Sequence, residues 1–226
     1  MKRLLCVGCV WLGLLAAASV AWAGKDTGGG PAGGRAGTAA AGTPALLVMG
    51  DSLSAAFGIP LQRGWVALLA ERLRQEGHAL RVVNASISGE TTQGGLTRLP
   101  AELARIKPAL VILELGANDG LRGQSLDAMR DNLREMVRLS RAAGAKVLLL
   151  GMRIPPNYGP QYGEQFFQSF EAVAGEARVP VVRFFLEKVA LKPQFIQADG
   201  LHPTAEAQPL LLETVWPALK PLLPRQ

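Results

Sequence analysis

The amino-acid sequence predicts a three-layer α/β domain built on a five-stranded parallel sheet. Five short apolar runs alternate with longer segments whose apolar residues recur at helical spacing. The runs are continuously apolar, which is typical of parallel strands that are covered by helices on both faces. The segment with this pattern is about 180 residues long, enough for one core of ordinary size. These observations favour the flavodoxin-like strand order 2-1-3-4-5.

The predicted strands and helices alternate along this domain. The strands are predicted at 45–49, 80–83, 110–113, 147–150 and 179–185. The helices are predicted at 65–73, 92–106, 126–143, 161–177 and 205–223. Proline cannot donate a helical hydrogen bond, so Pro100 is expected to bend or restart the second helix. For the same reason Pro209 and Pro217 are expected to interrupt the last helix.

The N-terminal part of the chain is predicted to lie outside this domain. Residues 1–23 combine a basic start with an uncharged apolar stretch, and the small-x-small pattern at 21–23 is typical of signal-peptide cleavage. A membrane anchor is the alternative for a stretch of this length, but its glycine and alanine content favours removal. Residues 24–43 are rich in glycine and alanine and are predicted to form a flexible leader. The folded domain is predicted at 44–226.

Cysteine usage and charge exclude several classes of site. Both cysteines, Cys6 and Cys9, lie in the predicted signal peptide, so the mature chain has no thiol for catalysis or metal binding. This suits a periplasmic or secreted bacterial protein, without stable membrane insertion after cleavage. The net charge is +6, but the basic residues are scattered among acidic ones, unlike the concentrated patches of nucleic-acid-binding proteins. We therefore expect no nucleic-acid partner, and the oligomeric state stays open.

Three loops are predicted to converge at one edge of the sheet. Ser52 follows the first strand, Gly89 the second and Asn118 the third. In the order 2-1-3-4-5 the first strand lies between the other two, so their carboxyl ends share one crevice. Taken alone, Asp51 and Ser52 are also typical of a helix cap, and the residues around Asn118 are good turn formers. The convergence favours a functional site.

A serine nucleophile needs a base within hydrogen-bond reach and a third group that orients the base. The chain has two histidines, and His78 lies in a turn at the opposite edge of the sheet, where an exposed turn residue is the simpler interpretation. His202 lies in the loop after the fifth strand, at the edge that carries Ser52. Asp199 precedes it by three positions, so its carboxylate can turn back to the imidazole. A capping role alone is the alternative for Asp199.

An acyl-transfer site also needs hydrogen-bond donors for the developing oxyanion. The candidates are the backbone N–H groups of Ser52 and Gly89 and the side-chain amide of Asn118. They stand in the three loops that are predicted to converge, so the sequence holds all the parts of such a site.

Four sequence blocks resemble those of the GDSL or SGNH hydrolases. In chain order they are Gly50-Asp51-Ser52-Leu53-Ser54, Gly89, Gly116-x-Asn118-Asp119 and Asp199-x-x-His202-Pro203. The resemblance covers residues 45–226 and is nearest to the periplasmic thioesterase I/lysophospholipase/arylesterase branch. It implies that Ser52 is the nucleophile, His202 the base and Asp199 its orienter. It also implies an oxyanion hole formed by the three donors named above.

The resemblance implies a serine esterase or thioesterase that acts through an acyl-enzyme, with arylesterase, acyl-CoA thioesterase or lysophospholipase-type activity. No metal or organic cofactor is expected, and the partner is a small acyl ester, acyl thioester or lysophospholipid. A carbohydrate O-deacetylase and a non-catalytic lipid-binding module are the alternatives. Ala117 stands where the best-known members have a second glycine, which is expected to stiffen the loop that follows.

Apolar residues after the third and fourth strands are candidates for binding the acyl chain. They are Leu121, Ile154, Pro155 and Tyr158, with residues 195–196 as further candidates. The same residues could equally anchor their own loops, so the sequence leaves both interpretations open.

Overall fold

The computed structural model describes residues 42–224, in which five parallel strands form one sheet. The strand order is β2-β1-β3-β4-β5, which confirms the predicted topology. The strands are β1 (Ala45–Gly50), β2 (Arg81–Asn84), β3 (Leu110–Glu114), β4 (Lys146–Leu150) and β5 (Val181–Val182). The predicted signal peptide and all but the last two positions of the predicted leader lie outside the described residues.

Residues 42–224 contain six α-helices, and the longer ones pack on the two faces of this sheet. The six are α1 (Trp65–Gln75), α2 (Thr92–Ile106), α3 (Ala117–Leu121), α4 (Leu126–Ala142), α5 (Pro160–Ala177) and α6 (Gln208–Leu219). Helix α1 packs against α6, whereas α4 packs between α2 and α5. Across residues 42–224, none of the helices has the length and apolar character needed to cross a membrane.

The centre of the sheet is buried along its length and fixes where the loops emerge. All residues of β1 and β3 are buried, and such burial contributes about 25 cal/mol per Å² of apolar surface. In the ladders Val48 pairs with Asn84 and Gly50 pairs with Glu114. The carboxyl ends of β1, β2 and β3 therefore lie side by side, and the loops that follow them begin at one edge.

Three details of the secondary structure differ from the prediction. Strand β5 has two residues, and it begins only at Val181 because the N–H of Val179 bonds to Ala174 of α5 and Pro180 has no N–H to donate. Pro209 does not interrupt α6, since it occupies the first turn, where the N–H has no helical partner. Pro217 lies inside α6 without interrupting it, and α2 does not restart at Pro100.

Helix α3 was not predicted, because its Gly-Ala-Asn-Asp-Gly sequence is also good turn composition. The helix starts after Gly116, whose φ of 121° is in the region that favours glycine. At this glycine a Cβ atom would lie 3.0 Å from the ring of Phe170, so the chain also needs a small residue there. The single turn that follows carries Asn118 toward the end of β1.

Candidate active site

Ser52 lies in a tight turn directly after β1. The N–H of Ala55 donates to the carbonyl of Asp51 at 2.9 Å, and that of Phe57 donates to the carbonyl of Ser52 at 3.2 Å. Ala56 adopts a left-handed conformation with φ of 58°, which is unusual for a residue other than glycine. The turn thereby presents the partly buried Ser52 side chain at the carboxyl edge of the sheet.

His202 lies between Ser52 and Asp199. Its Nε2 is 2.8 Å from Oγ of Ser52, and its Nδ1 is 2.6 Å from Oδ2 of Asp199. With the proton on Nδ1 donated to Asp199, Nε2 is free to accept the proton of the serine hydroxyl. The structure thus brings together three side chains in the geometry of a nucleophile, its base and an orienting carboxylate.

The Asp199 carboxylate both caps its own loop and contacts the imidazole, the two roles that the sequence suggested for it. Its Oδ1 accepts hydrogen bonds from the N–H groups of Leu201 at 2.9 Å and His202 at 3.0 Å, while Oδ2 holds the imidazole. The backbone N–H of His202, then that of Leu201, lowers the pKa of Asp199 to about 2. Asp199 is therefore ionised at neutral pH.

His78 occupies the turn between α1 and β2, at the other edge of the sheet. Its N–H donates to the carbonyl of Leu73 at 2.9 Å and its carbonyl accepts from Leu80. The side chain is partly buried, rather than exposed as predicted, because the turn folds back on the end of α1. His78 therefore lies apart from the cluster of Ser52, His202 and Asp199.

Phe57 and Gln197 connect the serine turn with the histidine loop, and the sequence analysis missed both. The Phe57 ring packs on the His202 imidazole with 4.4 Å between centroids. The Gln197 amide donates to the carbonyls of Phe57 and Pro203, each at 2.9 Å. Phe57 and Gln197 are separated by 140 positions, and no local sequence pattern predicts such a pair.

The three residues predicted to supply oxyanion donors line one cavity. Within residues 42–224 the N–H groups of Ser52 and Gly89 donate no hydrogen bond, and Gly89 has a φ of 79° that favours glycine. Asn118 differs, because its Nδ2 donates to Oδ2 of Asp51 at 3.1 Å and to the carbonyl of Glu90 at 3.0 Å. Its amide is thus fixed in orientation, and an oxyanion would have to share one of its two hydrogens.

Two buried carboxyl groups lie beneath the serine turn, and neither was predicted as part of the site. Burial raises the pKa of Asp51 to about 6, against the opposing effects of the Leu53 N–H, His202 and the Asn118 amide. Burial, followed by the charge of Asp51, raises the pKa of Glu114 well above its usual value. Asp51 accepts hydrogen bonds on both of its oxygens, whereas only one oxygen of Glu114 has a hydrogen-bond partner among the described residues.

Buried contacts also tie α3 to its neighbours. The Asp119 carboxylate accepts hydrogen bonds from the N–H of Thr92 at 2.9 Å and from its hydroxyl, at the N-terminus of α2, where a negative charge is favourable. Arg122 donates to the carbonyl of Gly89 at 3.0 Å. The segment after Ala117, for which the sequence suggests stiffness, is therefore helical and anchored at both ends.

An apolar cavity of about 230 Å³ opens beside Ser52 and His202. Of the candidate residues, Leu121, Ile154 and Pro155 line it, together with Met152 and Leu186, which no sequence pattern indicated. Such a surface suits a hydrocarbon chain.

Tyr158 and residues 195–196 do not line this cavity, and their contacts agree with the alternative that they anchor their own loops. The Tyr158 hydroxyl donates to the carbonyl of Leu121 at 2.7 Å, so Tyr158 supports the cavity wall from outside. Ile196 pairs with Pro203 in an isolated β-bridge, so this residue anchors the histidine loop. Throughout the described chain, no group of three His, Cys, Asp or Glu side chains is arranged to hold a metal ion.

Comparisons with known proteins identify relatives of this chain. Residues 48–209 match the GDSL-like lipase/acylhydrolase family. The chain is 58% identical over 178 residues to the esterase TesA of Pseudomonas aeruginosa, covering 79% of this chain and 89% of the relative. A crystal structure of TesA, also 58% identical, superimposes with a TM-score of 0.78 over 79% of this chain and 99% of the other.

Two further relatives carry names of ester and thioester hydrolases. An arylesterase of Vibrio mimicus is 45% identical over 170 residues, or 75% of this chain and 85% of the relative. Thioesterase 1/protease 1/lysophospholipase L1 of Escherichia coli K12 is 44% identical over 184 residues, or 81% of this chain and 87% of the relative.

Proposed function

This chain belongs to the GDSL-like lipase/acylhydrolase family, and we propose that it hydrolyses acyl esters and acyl thioesters through an acyl-enzyme on Ser52. The observation that carries the proposal is the continuous contact from Ser52 Oγ through His202 to Asp199, at 2.8 and 2.6 Å. The esterase, arylesterase and thioesterase names of the relatives support both substrate classes. The reaction is a double displacement, and the enzyme is a carboxylic ester hydrolase and thioesterase.

In the first displacement Ser52 Oγ attacks the carbonyl carbon while His202 Nε2 takes the hydroxyl proton. Asp199, ionised on the far side of the ring, stabilises the imidazolium that forms. The N–H groups of Ser52 and Gly89 and the amide of Asn118 stabilise the oxyanion. The intermediate then collapses, His202 gives its proton to the leaving alcohol or thiol, and the acyl group remains on Ser52.

In the second displacement water attacks the acyl-enzyme. His202 takes a proton from the water while the water oxygen bonds to the acyl carbon. His202 then gives that proton to Ser52 Oγ as the ester bond to the serine breaks. The products are a carboxylic acid and the free enzyme, so the cycle balances without any cofactor.

The apolar cavity makes medium or long acyl chains the favoured substrates. Leu121, Met152, Ile154 and Leu186 face the space next to Ser52, and each methylene group that they bury adds about 0.8 kcal/mol of favourable transfer energy. Acyl esters, acyl-CoA thioesters and lysophospholipids all present such a chain. An acetylated sugar would leave this surface without an apolar partner.

The test is hydrolysis of p-nitrophenyl esters from acetyl to palmitoyl by the purified mature protein and its Ser52→Ala variant. We expect kcat/KM to rise from acetyl to medium chains and the variant to lose about 10⁴-fold or more of the rate. Activity confined to acetyl esters would identify a deacetylase. Acyl binding without turnover would identify a lipid-binding module, and a fully active Ser52→Ala variant would contradict the role of Ser52.

We also propose that the enzyme acts after export, in the periplasm or outside the cell. Residues 1–23 have the basic start, apolar stretch and cleavage pattern of a signal peptide. N-terminal sequencing of protein recovered from the periplasmic fraction should give Gly24 as the first residue. A membrane fraction that keeps an intact N-terminus would contradict the proposal.

A further inference from the structure

Glu114 is a buried carboxyl group that the proposed reaction does not use. It is the last residue of β3, is 0% exposed, and pairs with Gly50 in the sheet. Its Oε2 accepts hydrogen bonds from the Ser54 hydroxyl at 2.6 Å and from the Asp51 N–H at 3.3 Å. Its Oε1 has no hydrogen-bond partner among the described residues. A group this costly to bury needs a specific role.

The contacts of Glu114 fall on the two sides of the nucleophile. Asp51 precedes Ser52 and Ser54 follows it by two positions, so one carboxyl oxygen binds the serine turn before and after the reactive hydroxyl. The Ser54 hydroxyl also accepts a hydrogen bond from the Trp65 indole at 3.2 Å, and Trp65 is 0% exposed. The turn is therefore held between a buried indole and a buried carboxyl group.

Gly50 shows how closely the carboxyl group approaches this turn. A Cβ atom at position 50 would lie 2.6 Å from Oε2 of Glu114 and 2.8 Å from the Ser54 side chain. Any side chain would therefore displace Glu114 or Ser54. The glycine of the Gly50-Asp51-Ser52 block is required for the contact between Glu114 and the serine turn.

We propose that Glu114 is a positioning residue for hydrolysis, which fixes Ser52 for attack by holding Asp51 and Ser54 on either side of it. This inference rests on the function proposed above. Ser52 Oγ must stay 2.8 Å from His202 Nε2. Because the two residues lie on separate loops, this distance depends on the position of the serine turn. A displacement of the serine turn by 1 Å is enough to lower the rate of a reaction about 10²-fold.

The charge of the two buried carboxyl groups distinguishes this role from an electrostatic one. Burial and the neighbouring Asp51 raise the pKa of Glu114 and so favour its neutral form, whereas Asp51 accepts hydrogen bonds from Leu53 and Asn118. A neutral acid still accepts hydrogen bonds on its carbonyl oxygen. Glutamine at position 114 should therefore reproduce the contacts with Ser54 and Asp51, since it has the same length, one acceptor oxygen and no charge.

The test compares Glu114→Gln with Glu114→Leu, using a p-nitrophenyl ester that the wild type hydrolyses well. We expect Glu114→Leu to lower kcat about 10- to 100-fold with KM within about twofold, because the acyl cavity is formed by other residues. Glu114→Gln should keep kcat within about threefold. Thermal unfolding of each variant separates a loss of fold from a loss of positioning.

Ser54→Ala removes the same hydrogen bond from the opposite side and is the second variant. It should lower kcat by about threefold or more without changing KM. Ser140→Ala is its matched control, because Ser140 is equally buried but donates to the carbonyl of Met136 within α4. The control should keep the wild-type kcat.

The inference is overturned if folded Glu114→Leu keeps kcat within threefold of the wild type, or if Glu114→Gln loses as much as Glu114→Leu. If the leucine variant does not fold, an unchanged kcat in Ser54→Ala overturns it. A failure of the proposed function is distinct, because the wild type would then be inactive or Ser52→Ala would be active.

Discussion

Two aspartates in the candidate site, Asp51 and Asp199, are held in opposite ways. Asp199 lies on an exposed loop, and its carboxylate accepts hydrogen bonds from two N–H groups of that loop and contacts the His202 ring. Asp51 is buried beneath the serine turn, and its carboxylate accepts from Asn118, which is 67 positions away. The pKa of Asp199 is lowered to about 2, whereas burial raises that of Asp51 to about 6.

The two aspartates differ in whether local or distant residues determine their environment. The histidine loop is locally determined, because the residues that fix the charge of Asp199 lie within three positions of it. The serine turn depends on β3 and α3, because Glu114 and Asn118 reach it from elsewhere in the chain. We therefore expect substitutions in the loop to act on catalysis directly, and those around Asp51 to act on position and stability.

The largest effect on activity is expected for substitution of His202, which the histidine loop positions through Asp199. His202→Ala removes the proposed base and should lower kcat/KM for a p-nitrophenyl ester about 10⁴-fold or more. His78→Ala is the matched control, because His78 lies at the opposite edge of the sheet, and it should retain activity within about twofold. A His202→Ala enzyme with most of the wild-type rate would refute the proposed base.

The next largest effect separates the two aspartates directly. Asp199→Asn removes the charge that stabilises the imidazolium and presents an amide that favours the wrong tautomer, so kcat should fall about 10³-fold. Asp51→Asn can keep the hydrogen bond from Leu53, and we expect a loss of about tenfold or less. Steady-state kinetics of both variants on one ester checks this order. Equal losses would contradict the inference that Asp199 acts directly on catalysis and Asp51 on position and stability.

The difference between local contacts and contacts across the chain also explains what the sequence could predict. The continuously apolar runs around Leu47 and Ile112 indicated parallel strands, and the strand order placed the loops of Ser52 and His202 at one edge. Asp199 could be predicted because it lies beside His202 in the chain. These interactions are either local or follow from the topology.

The residues that the sequence analysis missed act across distant parts of the chain. Glu114 directly follows the strand predicted at 110–113, and its register with Gly50 buries it under the serine turn. Phe57 and Gln197 meet across 140 positions. Tyr158 was a candidate both for binding the acyl chain and for anchoring its loop, and its hydroxyl donates to the carbonyl of Leu121. None of these contacts has a period or spacing that a sequence displays.

A smaller effect concerns stability as a function of pH. The folded-state pKa of Asp51 lies above its ordinary value of 3.8, so the native protein binds more protons than the unfolded chain between about pH 4 and 6. Stability from this group therefore falls as pH rises through that window, by about 3 kcal/mol for a shift of this size. Asp51→Asn should flatten the fall in urea-unfolding free energy between pH 4.5 and 7.5.

Asp199→Asn is the control for this pH dependence. The lowered pKa of Asp199 gives stability that is present above about pH 4 and is lost as pH falls through about 2. Its substitution should therefore leave the slope between pH 4.5 and 7.5 unchanged. A flattened slope in Asp199→Asn, or an unaltered one in Asp51→Asn, would contradict the opposite pKa shifts.

The smallest effect is expected where the two regions meet, at Gln197. Its amide donates to Phe57 in the serine turn and to Pro203 beside the histidine, so Gln197→Ala removes both bonds and should destabilise the protein by about 1–2 kcal/mol. Because the loop then loses its fixed distance from Ser52, kcat should fall several-fold with KM unchanged. Gln168→Ala, which removes only a surface bond to Glu164 on α5, should alter neither quantity. If the two variants behave alike, the histidine loop holds its position by its local hydrogen bonds alone.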